Sequence, residues 1–432
     1  MASAVFDIYE HVVEGQHIRE YPRATASSQN DVLFLHVKQY VPKENRNRHA
    51  RPDDVTIIAA HANGFPKELY EAMWEDLYCA SKRHNFWIRG IWIADVAWQG
   101  QSGILNEDEL GNDPSWYDHS RDLLHMINHF RREMPRPLVG VGHSFGGNIL
   151  VNLALFHPRV FTTLVLLDPV IFPSVMRPAP LTPESPAHQS TFRRDFWPSR
   201  ETAVDAFTKN KFFQSWDARV LAAWMAFGIR NVPTKLHPDQ TEGFTLSTTK
   251  HQEVFTFQRP LYQVDPHSSR VYVERSKLPD LDPATPAELD PAMAPSYRPE
   301  GPLTFSRLRH LRPSVLYVFG GRSDISGPEQ RRQKMDTTGT GVGGSGGTAC
   351  GRVKEVVLEA AGHLVAMEAP GTCADHAATW IGRELVNWRE EEEEHNAWCR
   401  KELLDKQTLD AVWVEHVRAQ KFNGANKSKS RI

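Results

Sequence analysis

Residues 136–157 read R-P-L-V-G-V-G-H-S-F-G-G-N-I-L-V-N-L-A-L-F-H. Leu138, Val139 and Val141 make a short apolar run that reads as a buried strand, and Ile149, Leu150, Leu153, Ala154 and Phe156 recur at helical spacing. Between the two lies Gly142-His143-Ser144-Phe145-Gly146, a G-x-S-x-G turn. A strand that becomes a helix over so few residues reverses sharply at the serine. Only small residues two before and two after it avoid collision. Such a turn lifts the Ser144 hydroxyl clear of the sheet edge and sets it at a helix N-terminus, where free N–H groups favour negative charge. The pentapeptide alone is common; the strand before it and the helix after it mark Ser144 as a candidate nucleophile.

The chain has 432 residues, 40% hydrophobic and 24% charged, with a formal net charge of -3. That length and composition suit a globular protein with a sizeable core, either one large domain with insertions or two domains. A near-neutral balance gives no sign of nucleic-acid binding. No apolar run is long enough to span a bilayer, and the N-terminal M-A-S-A-V-F-D-I-Y-E-H lacks the basic and apolar regions of a secretory signal. Cys79, Cys350, Cys373 and Cys399 show no C-x-x-C or C-x-x-H spacing, so they read as reduced thiols, with no metal site expected.

Outward from the turn, residues 5–19 and 32–41 read as strands, the second alternating Leu33, Leu35 and Val37 against Phe34, His36 and Lys38. Residues 55–60, V-T-I-I-A-A, suit a parallel strand covered on both faces. Further strands are predicted at 86–94, 163–167, 314–319 and 353–358. Helices are predicted at 67–85, 113–132, 328–335, 373–388 and about 402–421. From 172 to 312 the rhythm of strands stops. This insertion is proline-rich at 178–186 and 279–302, and between 201 and 230 it is helical in pattern, with Phe207, Phe212, Phe213, Trp216, Trp224 and Phe227. A segment this long suggests a lid lining an apolar substrate pocket; aromatics packing into a core of their own is the other reading. The glycine-rich stretch 337–351 has no following Lys-Ser or Lys-Thr and reads as a flexible connection rather than a phosphate loop. The acidic run 390–394 reads as a solvated helix face.

A serine hydroxyl is a weak nucleophile at neutral pH. It needs a base in hydrogen-bond contact, and the base needs a carboxylate to hold its tautomer. His363 follows the last predicted strand in Ala360-Ala361-Gly362-His363 and is the candidate base. Two aspartates compete for the third role. Asp168 ends the strand 163–167, and Asp324 follows the strand 314–319 in G-G-R-S-D. Either could instead be structural, since Asp-Pro at a strand end is a common turn.

The turn at Ser144, H-A-N-G-F at 61–65, D-V-A-W-Q-G-Q-S-G at 95–103, D-P-S-W-Y-D-H-S-R-D at 113–122 and G-H-L-V-A-M-E-A-P at 362–370 together resemble the α/β-hydrolases. Within them the resemblance is to a fungal group that includes the peroxisomal lipase of yeasts and hydrolases of host-selective toxin biosynthesis. It implies an α/β-hydrolase fold, a mostly parallel sheet with helices on both faces and a helical, proline-rich cap. It also implies that the loop after the third strand supplies one N–H of an oxyanion hole, from Asn63 or a direct neighbour, and Phe145 the other. Ala62 stands where glycine is usual, which leaves the first donor open by one position. The resemblance leans towards Asp168 as the acid, because the yeast relative keeps an acid only there. The last residues, Ser430-Arg431-Ile432, resemble the peroxisomal S-K-L address, which implies an import receptor as partner and a peroxisomal location.

The expectation is therefore a serine hydrolase cleaving an ester or thioester of a small apolar acyl substrate through Ser144, His363 and Asp168 or Asp324. No cofactor, metal, nucleic acid or transmembrane segment is expected. Its domains would be the core at 1–171 and 313–389, the cap at 172–312 and a helix and tail at 390–432. An acyltransferase with the same three groups and a non-catalytic binding protein remain alternatives.

Overall fold

The computed structural model describes residues 2–173, 181–282 and 296–419. Eight strands form one sheet: β1 (Phe6–Glu14), β2 (Phe34–Pro42), β3 (Val55–Ala60), β4 (Ile88–Ala94), β5 (Leu138–His143), β6 (Thr163–Leu167), β7 (Ser314–Gly320) and β8 (Val353–Leu358). Their order is β1-β2-β4-β3-β5-β6-β7-β8. β2 is antiparallel to β1 and β4, and the other pairs are parallel. This is the α/β-hydrolase sheet implied by the sequence. β3, β5, β6 and β7 are buried at every residue, which is why they read as continuous apolar runs. β2 departs from its alternation. His36 and Lys38, on the face expected to be solvated, are buried, and Lys38 lies between Glu68, Glu71 and the ring of Phe227 from the insertion.

Register sets the functional edge. Ala60 pairs with Gly142, and His143 pairs with Leu167. The chain therefore leaves β3, β5 and β6 at one level, and the next residues, His61, Ser144 and Asp168, emerge side by side. Helices follow from local signals: α1 (Glu71–Arg83), α2 (Trp116–His129), capped by Ser115 accepting from Tyr117 N–H, and α3 (Phe145–Phe156) behind the turn.

The insertion corrects the reading that strands stop at 172. It contains a three-stranded antiparallel sheet of Phe196–Trp197, Phe244–Leu246 and Ile229–Asn231, and two two-stranded pairs. Strands of two or three residues are too short to show a period. Three of its helices are where the pattern put them, Arg200–Lys209, Lys211–Gln214 and Ala218–Phe227, capped by Ser199, Asn210 and Asp217, while Pro186–Phe192, Lys250–Phe257 and Glu300–Arg307 lie outside that stretch. The helix α4 (Lys250–Phe257) carries a Thr249 cap.

By its contacts the chain divides into two compact units, Met1–Leu385 and Val386–Ile432, the insertion clustering with the sheet. The helix expected at 373–388 extends over Pro370–Cys399 and takes in the acidic run. The single last helix expected at 402–421 is instead two, Leu403–Gln407 and Ala411–Ala419, separated where Thr408 turns extended. Among the described residues no helix is long and apolar enough to cross a membrane. Ser430, Arg431 and Ile432 lie outside the described residues.

Candidate active site

Ser144 has φ +59° and ψ −122°, a conformation that non-glycine residues rarely hold. Three backbone bonds hold it there. Its N–H donates to Leu167 O (2.9 Å), and its carbonyl accepts from Gly147 N–H (3.1 Å) and Val170 N–H (3.0 Å). The flanking glycines are required by contact: a Cβ on Gly142 would lie 2.7 Å from Gly146 O, and one on Gly146 would lie 2.3 Å from Ala60 O. The motif is thus a packing condition between β3, β5 and α3.

The structure brings Ser144, His363 and Asp168 into one line. His363 Nε2 is 2.9 Å from Ser144 Oγ, and His363 Nδ1 is 2.6 Å from Asp168 Oδ2. Asp168 is fully buried and Ser144 6% exposed, while the His363 side chain keeps 26% of its surface open. Burial works against charge on Asp168. Hydrogen bonds from His363 and from Ser323 Oγ (2.5 Å) outweigh it and hold the carboxyl below the ordinary aspartate value. An ionised carboxylate there accepts from Nδ1–H and leaves Nε2 free to accept from the serine hydroxyl. Asp324 is exposed and stands apart from this line; its neighbour Ser323 is the group that reaches Asp168.

The loop after β3 narrows the donor that the sequence left open. Ala62 N–H is bonded to Tyr70 OH (2.8 Å) and Gly64 N–H to Gln99 Oε1 (2.8 Å). Among the described residues Asn63 N–H donates to nothing. Its side chain is engaged elsewhere, Nδ2 donating to Glu253 O (3.1 Å) and Oδ1 accepting from Gln99 Nε2 (2.6 Å). Phe145 opens α3, so its N–H has no partner within the helix. These two backbone donors are the ones an oxyanion could take.

Two buried histidines frame the site. His61 accepts Val96 N–H at Nε2 (3.0 Å), so Nδ1 carries the proton and donates to Ala62 O (2.8 Å). Burial pushes its pKa down to about 4, and it is a neutral brace for the loop. His143 lies 2.9 Å from Tyr70 OH at Nδ1 and donates from Nε2 to His363 O (3.1 Å); burial and the neighbouring His363 lower it to about 3. A chain of hydrogen bonds thus links Ala62, Tyr70, His143 and the backbone of His363. Glu368 holds the same loop by accepting from Gly362 N–H (2.8 Å). Tyr70, Gln99, His143 and Ser323 carried no local sign of these roles, because each acts on a partner distant in sequence.

Four of the aromatic residues of the insertion pack on one another, whereas Phe212 and Phe227 are exposed. Phe207, Phe213, Trp216 and Trp224 form a cluster with ring centroids 4.9–6.2 Å apart. Phe65, from the loop after β3, enters it at 5.5 Å from Trp216 and 6.0 Å from Trp224. Such contacts are worth about 0.5–1.5 kcal/mol per pair beyond buried area, enough to fix the insertion against that loop. Asp217 N–H donates to Met367 O (2.8 Å), just after His363.

Residues 57–376 match the model of the alpha/beta hydrolase family. The chain is 43% identical over 413 residues to the type I acyl-CoA thioesterase mpaH of Penicillium roqueforti, covering 91% of this chain and 92% of that one. It is 27% identical to the abhydrolase domain-containing protein AKT2 of Alternaria alternata, over 66% of this chain and all of that protein. Among solved structures, the peroxisomal α/β-hydrolase Lpx1 from Saccharomyces cerevisiae superimposes with a TM-score of 0.66 at 18% identity, covering 96% of both chains.

Proposed function

The chain belongs to the α/β-hydrolase family, and from that premise we propose that it hydrolyses an acyl thioester, with a coenzyme A-type thiol as leaving group, through an acyl-enzyme on Ser144. The observation that carries the chemistry is the unbroken line from Ser144 Oγ through His363 to Asp168, at 2.9 and 2.6 Å. The thioester is favoured over other acyl bonds by the relatives named as acyl-CoA thioesterases, which align over nine-tenths of the chain.

In this reading Ser144 Oγ attacks the acyl carbonyl as His363 Nε2 takes its proton. Asp168 holds the imidazole and stabilises the imidazolium that forms. The oxyanion is taken by the N–H groups of Phe145 and Asn63; losing one such donor typically costs ~10² to 10³ in turnover. His363 then protonates the departing thiolate. Water, deprotonated by the same imidazole, attacks the acyl-enzyme and releases the acid and free Ser144. Asp324 has no part in it. The tail Ser430-Arg431-Ile432 goes with a peroxisomal location, which a fluorescent fusion covering Ile432 tests: it should stay in the cytosol, and an unchanged peroxisomal signal removes this part of the reading.

The experiment is thiol release from acyl-CoA substrates of graded acyl length, beside the matched oxygen esters. Thioester hydrolysis should exceed ester hydrolysis in kcat/KM, and Ser144→Ala should lower kcat by about 10⁶-fold, as removal of such nucleophiles does elsewhere. Folded protein that releases no thiol, or that passes the acyl group to an added alcohol in place of water, would overturn it.

A further inference from the structure

One buried side chain bridges the insertion and the loop after β3. Gln99, in the loop after β4, is fully buried. Its Oε1 accepts from Gly64 N–H (2.8 Å), and its Nε2 donates to Asn63 Oδ1 (2.6 Å) and to Thr256 Oγ1 (2.9 Å). Thr256 lies on α4. Its hydroxyl also accepts from Trp98 Nε1 (2.7 Å) and donates to Gln252 O (2.7 Å), so it has little freedom to turn. Beside this contact, Asn63 Nδ2 donates to Glu253 O (3.1 Å), and Gly100 N–H donates to Thr248 Oγ1 (2.9 Å). Gly64 has φ +84°, and a Cβ on it would lie 2.7 Å from Glu253 Cδ, so the loop and α4 are packed without slack.

The direction of a peptide N–H is fixed by the backbone on either side of it. Gln99 holds the side chain of Asn63 and the N–H of the next residue at once, which leaves Asn63 N–H as the unbonded donor between two bonded neighbours. We propose that Gln99 is the positioning residue of this loop, and that α4 of the insertion, acting through Thr256, sets the aim of Asn63 N–H at the oxyanion. The proposal rests on Ser144 being the nucleophile, as argued above. It makes α4 a fixed wall of the catalytic apparatus and not a part of the insertion that swings away. An oxyanion donor acts on charge that develops only in the transition state, so loosening its aim lowers kcat and leaves ground-state binding alone.

Two variants test this. Gln99→Glu keeps the size and the acceptor for Gly64 N–H but removes both N–H donors. Thr256→Val removes the anchor on the insertion and leaves every residue of the loop in place. The measurements are kcat and KM on an acyl thioester, the rate of Ser144 labelling by a fluorophosphonate, and affinities for a boronic acid, which forms a tetrahedral adduct, and for the carboxylate product. Gln99→Glu should lose about 10²-fold in kcat, the range for one oxyanion donor. Thr256→Val should lose about tenfold, the equivalent of one hydrogen bond. KM should stay within about threefold in both, boronate affinity should fall in step with kcat, and product affinity should hold. Wild-type kcat and boronate affinity in the variants would overturn the proposal. So would a loss shared equally by boronate and product, which is what a purely structural role gives. If Gln99→Glu does not fold, Thr256→Val decides alone. Parent protein that is not labelled removes the nucleophile and this proposal together; labelled parent with unaffected variants removes only this proposal.

Discussion

β6 and β7 are neighbours in the sheet, Leu167 against Val318, and each is followed by an aspartate that could complete a catalytic line. Asp168 is the first residue beyond β6. Its N–H still donates to Val318 O (2.8 Å), its φ is +42°, and its side chain is fully buried beside the turn that carries Ser144. Asp324 comes four residues after Gly320, where the chain has left the sheet and turned to solvent. The loop after β7 does serve the site, but with a hydroxyl: Ser323 donates to Asp168. Two loops with the same apparent offer divide one task, the nearer giving the charge and the farther holding it. What separates them is distance from the sheet edge, since a carboxylate tied by backbone to the last rung of the sheet has little freedom to leave its partner.

The sharpest way to break this comparison is to exchange the consequences. Asp168→Asn should lower kcat by ~10⁴, as loss of the tautomer-holding carboxylate does in serine triads. A mild effect would mean that the loop after β7 can substitute.

Lys334, on the helix Pro328–Thr337 after that loop, sharpens the comparison next. It is 1% exposed, and its Nζ lies 3.5 Å from Ser326 Oγ and 5.2 Å from the centroid of the Phe319 ring. Burial lowers its pKa from 10.5 to about 8 against the opposing pull of Asp168. Between those two values the unfolded chain keeps a proton that the folded chain has released. Stability due to this group therefore rises with pH from about 8 to 10.5, and below about 8 the folded state bears the whole cost, about 3 kcal/mol. Lys334→Met should be more stable than the parent in denaturant titrations at pH 7, with the difference shrinking towards pH 10. A difference independent of pH would mean that folding does not lower the pKa of the lysine.

Ser323→Ala should lower kcat by about tenfold, the equivalent of one hydrogen bond to the carboxylate, with KM unchanged. Asp324→Asn should leave kcat within about twofold of the parent, as expected of an exposed substitution. Finding these two effects reversed in size would undo the division of labour between the loops.

Much of this was legible in the sequence wherever the signal is local. β3, β5, β6 and β7 are buried on both faces, so their composition alone marks them, and the glycines about Ser144 follow from the collision that any larger residue would make. The signal failed where a second layer covers what one element would leave open. Lys38 breaks the alternation of β2 because Glu68, Glu71 and Phe227 close over it. It failed also where elements are very short, as in the small sheet of the insertion, and where a side chain has meaning only through a remote partner. Gln99 and Thr256 are 157 residues apart, and neither position carries a pattern.

The amino-acid order by itself determined the strand, the tight turn and the helix that present Ser144, because those depend on the steric limits and periodicity of a few adjacent residues. It also determined that an imidazole follows the last strand. Only the tertiary structure set Asp168, and not Asp324, against His363, left Asn63 N–H as the open donor among the described residues of its loop, and turned Trp216 and Trp224 of the insertion onto Phe65. Each of those alternatives is allowed locally. The choice among them comes from strand register and from which polar groups burial compels to find partners, and both are properties of the assembled chain.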